Sequence, residues 1–66
     1  MSFEEFKNLK IDDVVIFNKA ASEYFGKKAL VKTLPHLPSG RVYLEFIDTE
    51  KPYKGFFSFY AIIKES

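Results

Sequence analysis

Apolar residues fall in short clusters along this chain, and the spacing inside each cluster predicts a different element. Near the start, Ser2 stands three residues before Glu5, and Phe3, Phe6 and Leu9 recur at roughly helical spacing. That pattern predicts a short helical turn within residues 1–10, opened by a capping box in which hydroxyl and carboxylate each accept a backbone N–H. Asp12-Asp13 reads as a turn, and the β-branched run Val14-Val15-Ile16-Phe17 as the first strand. Residues 18–26 keep no clean period and end on Gly26. They predict a long loop that presents Tyr24 and Phe25, with room for a helical turn at residues 20–23.

Residues 28–34 predict a second strand, stopped by Pro35-His36-Leu37-Pro38-Ser39-Gly40, whose prolines and glycine are poor ladder members and good turn formers. The third strand is the clearest. From Arg41 to Phe46 the chain alternates, placing Val42, Leu44 and Phe46 on one face and Arg41, Tyr43 and Glu45 on the other. A polar turn at residues 48–52 leads to a fourth strand from Tyr53 to Ser58, with Gly55 expected as a bulge or bend. Phe59-Tyr60-Ala61 then turns the chain into a brief last strand, Ile62-Ile63-Lys64. The sum is a mainly β fold of five short strands, a single domain over residues 1–66, with no internal repeat.

At 66 residues the chain lies near the lower limit for independent folding, yet 47% of it is hydrophobic. With no Cys, neither disulfides nor thiolate chemistry are available, and the core must suffice alone or be completed by association. No apolar run approaches the roughly 20 residues that span a bilayer, and the acidic start Met1-Ser2-Phe3-Glu4-Glu5 is unlike a basic signal peptide; a cytoplasmic protein without a membrane partner is expected. The formal net charge of +1 shows none of the basic excess of strong nucleic-acid binders, although Lys27, Lys28 and Lys32 form a local cluster.

Candidate chemistry is sparse. His36, the single histidine, sits between Pro35 and Leu37, too isolated for a metal site or a nucleophile and base pair. The adjacent carboxylates Glu4-Glu5 and Asp12-Asp13 are poorly placed to share a proton. Gly26, Gly40 and Gly55 are single glycines far apart, so no phosphate loop is present. No enzyme and no cofactor are expected.

The order of a valine-rich strand, a long loop, a Gly26-Lys27-Lys28-led second strand, an alternating third strand and the closing run Gly55-Phe56-Phe57-Ser58-Phe59-Tyr60-Ala61-Ile62-Ile63 resembles SH3-like small barrels over most of residues 11–65. Residues 17–31 are similar in layout to KOW-type domains and to the E-type accessory protein of photosystem I. The closing run also resembles the Gly-Leu-Phe-Pro-Ser-Asn-Tyr-Val end of signalling SH3 domains. The likeness implies a five-stranded barrel. Because the chain lacks an Ala-Leu-Tyr-Asp-Tyr opening and any Trp, it implies no PxxP-reading groove. Ala29 stands where KOW-type domains often carry a second glycine in a loop used toward RNA.

Twelve aromatic residues, eight Phe and four Tyr, are the strongest functional signal. Phe6, Leu9, Val15, Phe17, Ala29, Val31, Val42, Leu44, Phe46, Phe57 and one of Ile62 or Ile63 would already fill a barrel of this length. The remaining rings are then split between plugging the barrel ends and forming a surface. Tyr24, Phe25, Tyr43, Tyr53, Phe56 and Tyr60, with Arg41 and Lys28, are the expected partner-binding set, since exposed aromatics beside Arg or Lys compose binding hot spots. The expected function is a small protein-binding module, an adaptor or a phage-type inhibitor of a host protein. The alternatives are a KOW-like binder of RNA or single-stranded DNA that stacks bases on Tyr43, Phe25 or Tyr53, and a homodimer whose interface completes the core.

Overall fold

The computed structural model describes residues 1–50 and 52–65; Lys51, within the expected polar turn, lies outside the described residues. Helix α1 spans Phe3–Lys7. Its capping box is complete: the Ser2 hydroxyl accepts the Glu5 N–H at 3.2 Å, and Glu5 Oε1 accepts the Ser2 N–H at 3.1 Å. The turn is short because it serves to deliver Phe6 and, just beyond it, Leu9 into the core, while Phe3 stays on the rim. Asp12 takes a left-handed φ of 77°, and the Asp13 carboxylate accepts the Lys10 N–H, so both aspartates belong to the turn into the sheet.

Five strands follow: β1 (Val14–Phe17), β2 (Lys28–Val31), β3 (Arg41–Phe46), β4 (Lys54–Ser58) and β5 (Ile62–Lys64). All neighbours are antiparallel, in the order β4-β3-β2-β1-β5. The mainly β fold and its five strands are as the sequence predicts. The barrel is not closed, because β4 and β5 form the two ends of the sheet and do not pair; a one-turn 3-10 helix, η1 (Phe59–Ala61), carries the chain from one end to the other. The second strand is also shorter than its composition suggests. It ends at Val31, and Thr33 faces Tyr43 with its hydroxyl rather than its backbone, since the residue preceding Pro35 begins the turn.

The core comprises Phe6, Leu9, Val15, Phe17, Ala29, Val31, Val42, Leu44, Phe46 and Ile62. Phe57 is half-buried against it rather than inside it. The β1–β5 register, which sets Phe17 opposite Ile62, sends Ile62 inward and leaves Ile63 on the outer face. Gly55 makes no bulge: it pairs with Leu44 in regular register. It is glycine-sized because a Cβ there would come within 3.3 Å of the Tyr53 ring and 3.4 Å of the Phe57 ring. Among the described residues no helix is long and apolar enough to cross a membrane.

Candidate partner-binding groove

The twelve rings are almost all engaged with one another, in three groups. Phe46, at the inner end of β3, meets Phe17 and Phe57 edge-on at 5.5 and 5.4 Å, and Tyr24 lies flat on it at 4.6 Å. Tyr53 stacks on Tyr24 at 5.5 Å, completing this group. Around α1, Phe3 and Phe6 pack on Phe59, and Tyr60 stacks on Phe59 at 4.2 Å. On the outer face of the sheet, Tyr43 and Phe56 are directly paired across β3 and β4 and meet edge-on at 4.9 Å. Such ring pairs contribute about 0.5–1.5 kcal/mol beyond their buried area.

The excursion of residues 18–26 is held at both ends. Its neck is closed by backbone hydrogen bonds from Gly26 to Phe17 (2.8 Å) and from Phe17 to Lys27 (2.9 Å), with Gly26 at φ 79°. Successive turns, Ser22 to Lys19 and Phe25 to Ser22, replace the helical turn that the sequence accommodates there. Tyr24 then pins the arch onto the core through Phe46. Burial raises the Tyr24 phenol above the ordinary tyrosine range, with Glu23 and Tyr53 adding to the shift.

Between this arch and β4 runs an open groove of about 750 Å³, within the size range of binding clefts. Lys19, Ala21, Ser22, Glu23 and Tyr24 form one wall; Tyr53, Phe56, Phe57 and Ser58 form the other; Phe17, Arg41 and Ala61 complete it. Phe56 and Phe57 point to opposite faces of the sheet, so a groove lined by both follows the free edge of β4. Neither Arg41 nor Lys19 forms an ion pair among the described residues, although Glu23 lines the same groove.

The structure thus brings Tyr24, Tyr53, Phe56 and Arg41 together. Tyr60, 81% exposed, borders an adjoining hollow with Asn18, Lys19, Ala20, Ser58 and Ala61. Tyr43 lies behind Phe56 on the outer face. Phe25 is 53% exposed but outside the groove, and Lys28 lies elsewhere, its ammonium 3.0 Å from the Glu65 carboxylate. Sequence reasoning misses Lys19, Ala21, Ser22 and Glu23, small or polar residues whose place in the wall depends on how the arch folds back and whose only local signal is membership of the long, aperiodic loop, and it misses Ala61, which η1 brings to the groove. His36 Nδ1 and Ser39 Oγ approach to 2.6 Å inside a single exposed turn that also carries the Ser39 N–H. Among the described residues, no three His, Cys, Asp or Glu side chains converge as a metal site would need. In comparisons with known proteins, the chain matches no family model, no curated protein and no solved structure.

Proposed function

We propose that this chain is a small non-enzymatic protein-binding module, an adaptor or an inhibitor of the protein it binds, and that the groove between the 18–26 arch and β4 receives the partner. One observation carries this reading: the groove combines the aromatic faces of Tyr24, Tyr53, Phe56 and Phe57 with two cations, Arg41 and Lys19, that form no ion pair among the described residues. Aromatic and Arg side chains dominate the energetics of protein interfaces. The strand order, with a 3-10 turn between the last two strands, supports an SH3-like reading of the open sheet.

The test is a pull-down from a nuclease-treated cytoplasmic lysate with the wild-type chain beside Tyr53→Ser, Arg41→Glu and Phe25→Ala. A discrete protein should be retained by the wild type and by Phe25→Ala and lost with the other two, provided all remain folded by circular dichroism. Retention of that protein by Tyr53→Ser and Arg41→Glu alike would refute the groove as the site.

A second reading, binding of single-stranded nucleic acid, is favoured by the outer face alone. There the Tyr43–Phe56 pair is flanked in register by Lys32 and Arg41, the combination of ring and cation on which bases stack. It predicts an affinity for oligonucleotides that falls steeply with salt; no binding at low salt removes it.

A further inference from the structure

We propose that β4 is a self-pairing edge, and that two copies of this chain join antiparallel along it into one continuous sheet with Phe56 at the two-fold axis. The inference begins with which backbone groups the sheet leaves unused. Phe46 donates to the Tyr53 carbonyl, and Phe59 to the Gly40 carbonyl. In the register that links them, Gly55 and Phe57 bond to β3, whereas Lys54, Phe56 and Ser58 turn their N–H and C=O groups away from it. The far end of the sheet is guarded differently. Strand β5 has three residues, includes Lys64 and is followed by Glu65, the short, charged edge by which sheets discourage addition. Strand β4 is longer, its one charge is Lys54 at the end, and its central residue is Phe56, 65% exposed.

The sequence of β4 is complementary to itself. Read antiparallel about Phe56, the ring meets the same ring of the other copy, and Lys54 falls opposite Ser58, so no like charges oppose each other. Phe56 offers both backbone groups, Lys54 both and Ser58 its N–H, the Ser58 carbonyl already accepting in the first turn of η1, and these are the groups that would face their counterparts across the axis, as an isologous contact requires. Each Phe56 already abuts Tyr43 at 4.9 Å on the outer face. Pairing therefore aligns Tyr43, Phe56 and their two counterparts as a row of four rings, and aromatic cross-strand pairs are among the most favourable in sheets. This proposal does not rest on the protein-binding reading, but a second copy paired along β4 lies on the edge that the groove follows, so the dimer and a groove occupant exclude one another.

Sedimentation velocity on the full chain, over a dilution series reaching about 1 mM, tests it with three variants. Phe56→Pro removes an N–H that β3 does not use, so it blocks edge pairing while sparing the ladder. Phe56→Lys keeps the backbone groups but opposes two ammonium groups at the axis and needs no proline geometry; it decides the matter if the proline variant fails to fold. Phe25→Ala removes an exposed ring away from the edge. The expected result is a wild-type dimer that dissociates on dilution, unchanged by Phe25→Ala, with both Phe56 variants folded by circular dichroism and monomeric at every concentration. Amide exchange at Lys54, Phe56 and Ser58 should slow as the wild-type dimer forms. A wild-type chain monomeric throughout, or a dimer that persists in Phe56→Lys, overturns the proposal. Partner capture at the dilute end of the series, where the chain is monomeric, reads the groove separately.

Discussion

Two glycines separate backbone strain from crowding, and their comparison is a quantitative test of the packing around Phe59. Gly26 and Gly40 both lie at left-handed φ, 79° and 67°. A Cβ at Gly26 would meet nothing within 4 Å, whereas one at Gly40 would sit 3.2 Å from two carbons of the Phe59 ring. That ring has nowhere to go, being held by Phe3, Phe6 and Tyr60 and by the Phe59 N–H bonded to the Gly40 carbonyl. Gly26→Ala should therefore cost only the left-handed penalty, about 1–2 kcal/mol. Gly40→Ala adds the crowding of a well-packed site, about 1 kcal/mol or more. The loss of unfolded-chain entropy on replacing Gly favours both variants equally and cancels in the comparison. Since a chain of this length has a total stability of about 3–10 kcal/mol, Gly40→Ala should lower Tm by roughly 10–20 °C. Urea unfolding followed by far-UV circular dichroism measures both, with unchanged slopes reporting a change in stability alone. Equal midpoints for the two variants would refute the packing of Phe59 over Gly40.

Phe46→Ala removes the ring on which Phe17, Phe57 and Tyr24 converge and should cost about 3–5 kcal/mol, leaving a chain that is largely unfolded in thermal scans or close to it. Ser2→Ala should cost about 1 kcal/mol through the lost cap, read as a lower urea midpoint. The Glu5 carboxyl is held below its usual range, first by the Ser2 N–H and then by the Ser2 hydroxyl, so its contribution to stability is present above about pH 4.3 and fades as pH falls through its lowered folded value. Glu5→Gln should flatten that acid limb. With its phenol raised by burial, Tyr24 favours the fold while neutral and loses that contribution as pH climbs above about 10; difference ultraviolet titration of the wild type against Tyr24→Phe should isolate a late-ionising step that belongs to Tyr24.

Legibility in the sequence follows the range of the interactions involved. Strand β3 is readable because six residues, Arg41 to Phe46, hold a strict alternation. Ile62 and Ile63 cannot be told apart, because a three-residue strand carries no phase and only pairing with Phe17 supplies it. Composition extends the second strand to Leu34 because Thr33 and Leu34 suit a strand, while the nearby Pro35 governs their backbone. Nothing local reports whether the two end strands meet, so an open sheet and a closed barrel read alike. The expected bulge at Gly55 is instead a packing requirement of Tyr53 and Phe57, which composition cannot express. At the groove, the aromatic residues announce themselves, and Tyr24 is as much a structural pin as a surface ring. The rest of the arch gives no signal because its contribution is shape.

The arch attaches to the fold by its neck and by Tyr24, whereas Lys19, Ala21, Ser22 and Glu23 supply no core side chain. The residues that build the sheet and those that shape this wall of the groove are consequently largely separable within this short chain. Substitutions at Lys19, Ala21 and Glu23 can change the charge and contour of one wall while leaving the residues that maintain the sheet untouched, whereas Ser22 accepts the Tyr24 N–H and helps to hold the arch; if the groove binds as proposed, one framework could be redirected between targets in small steps.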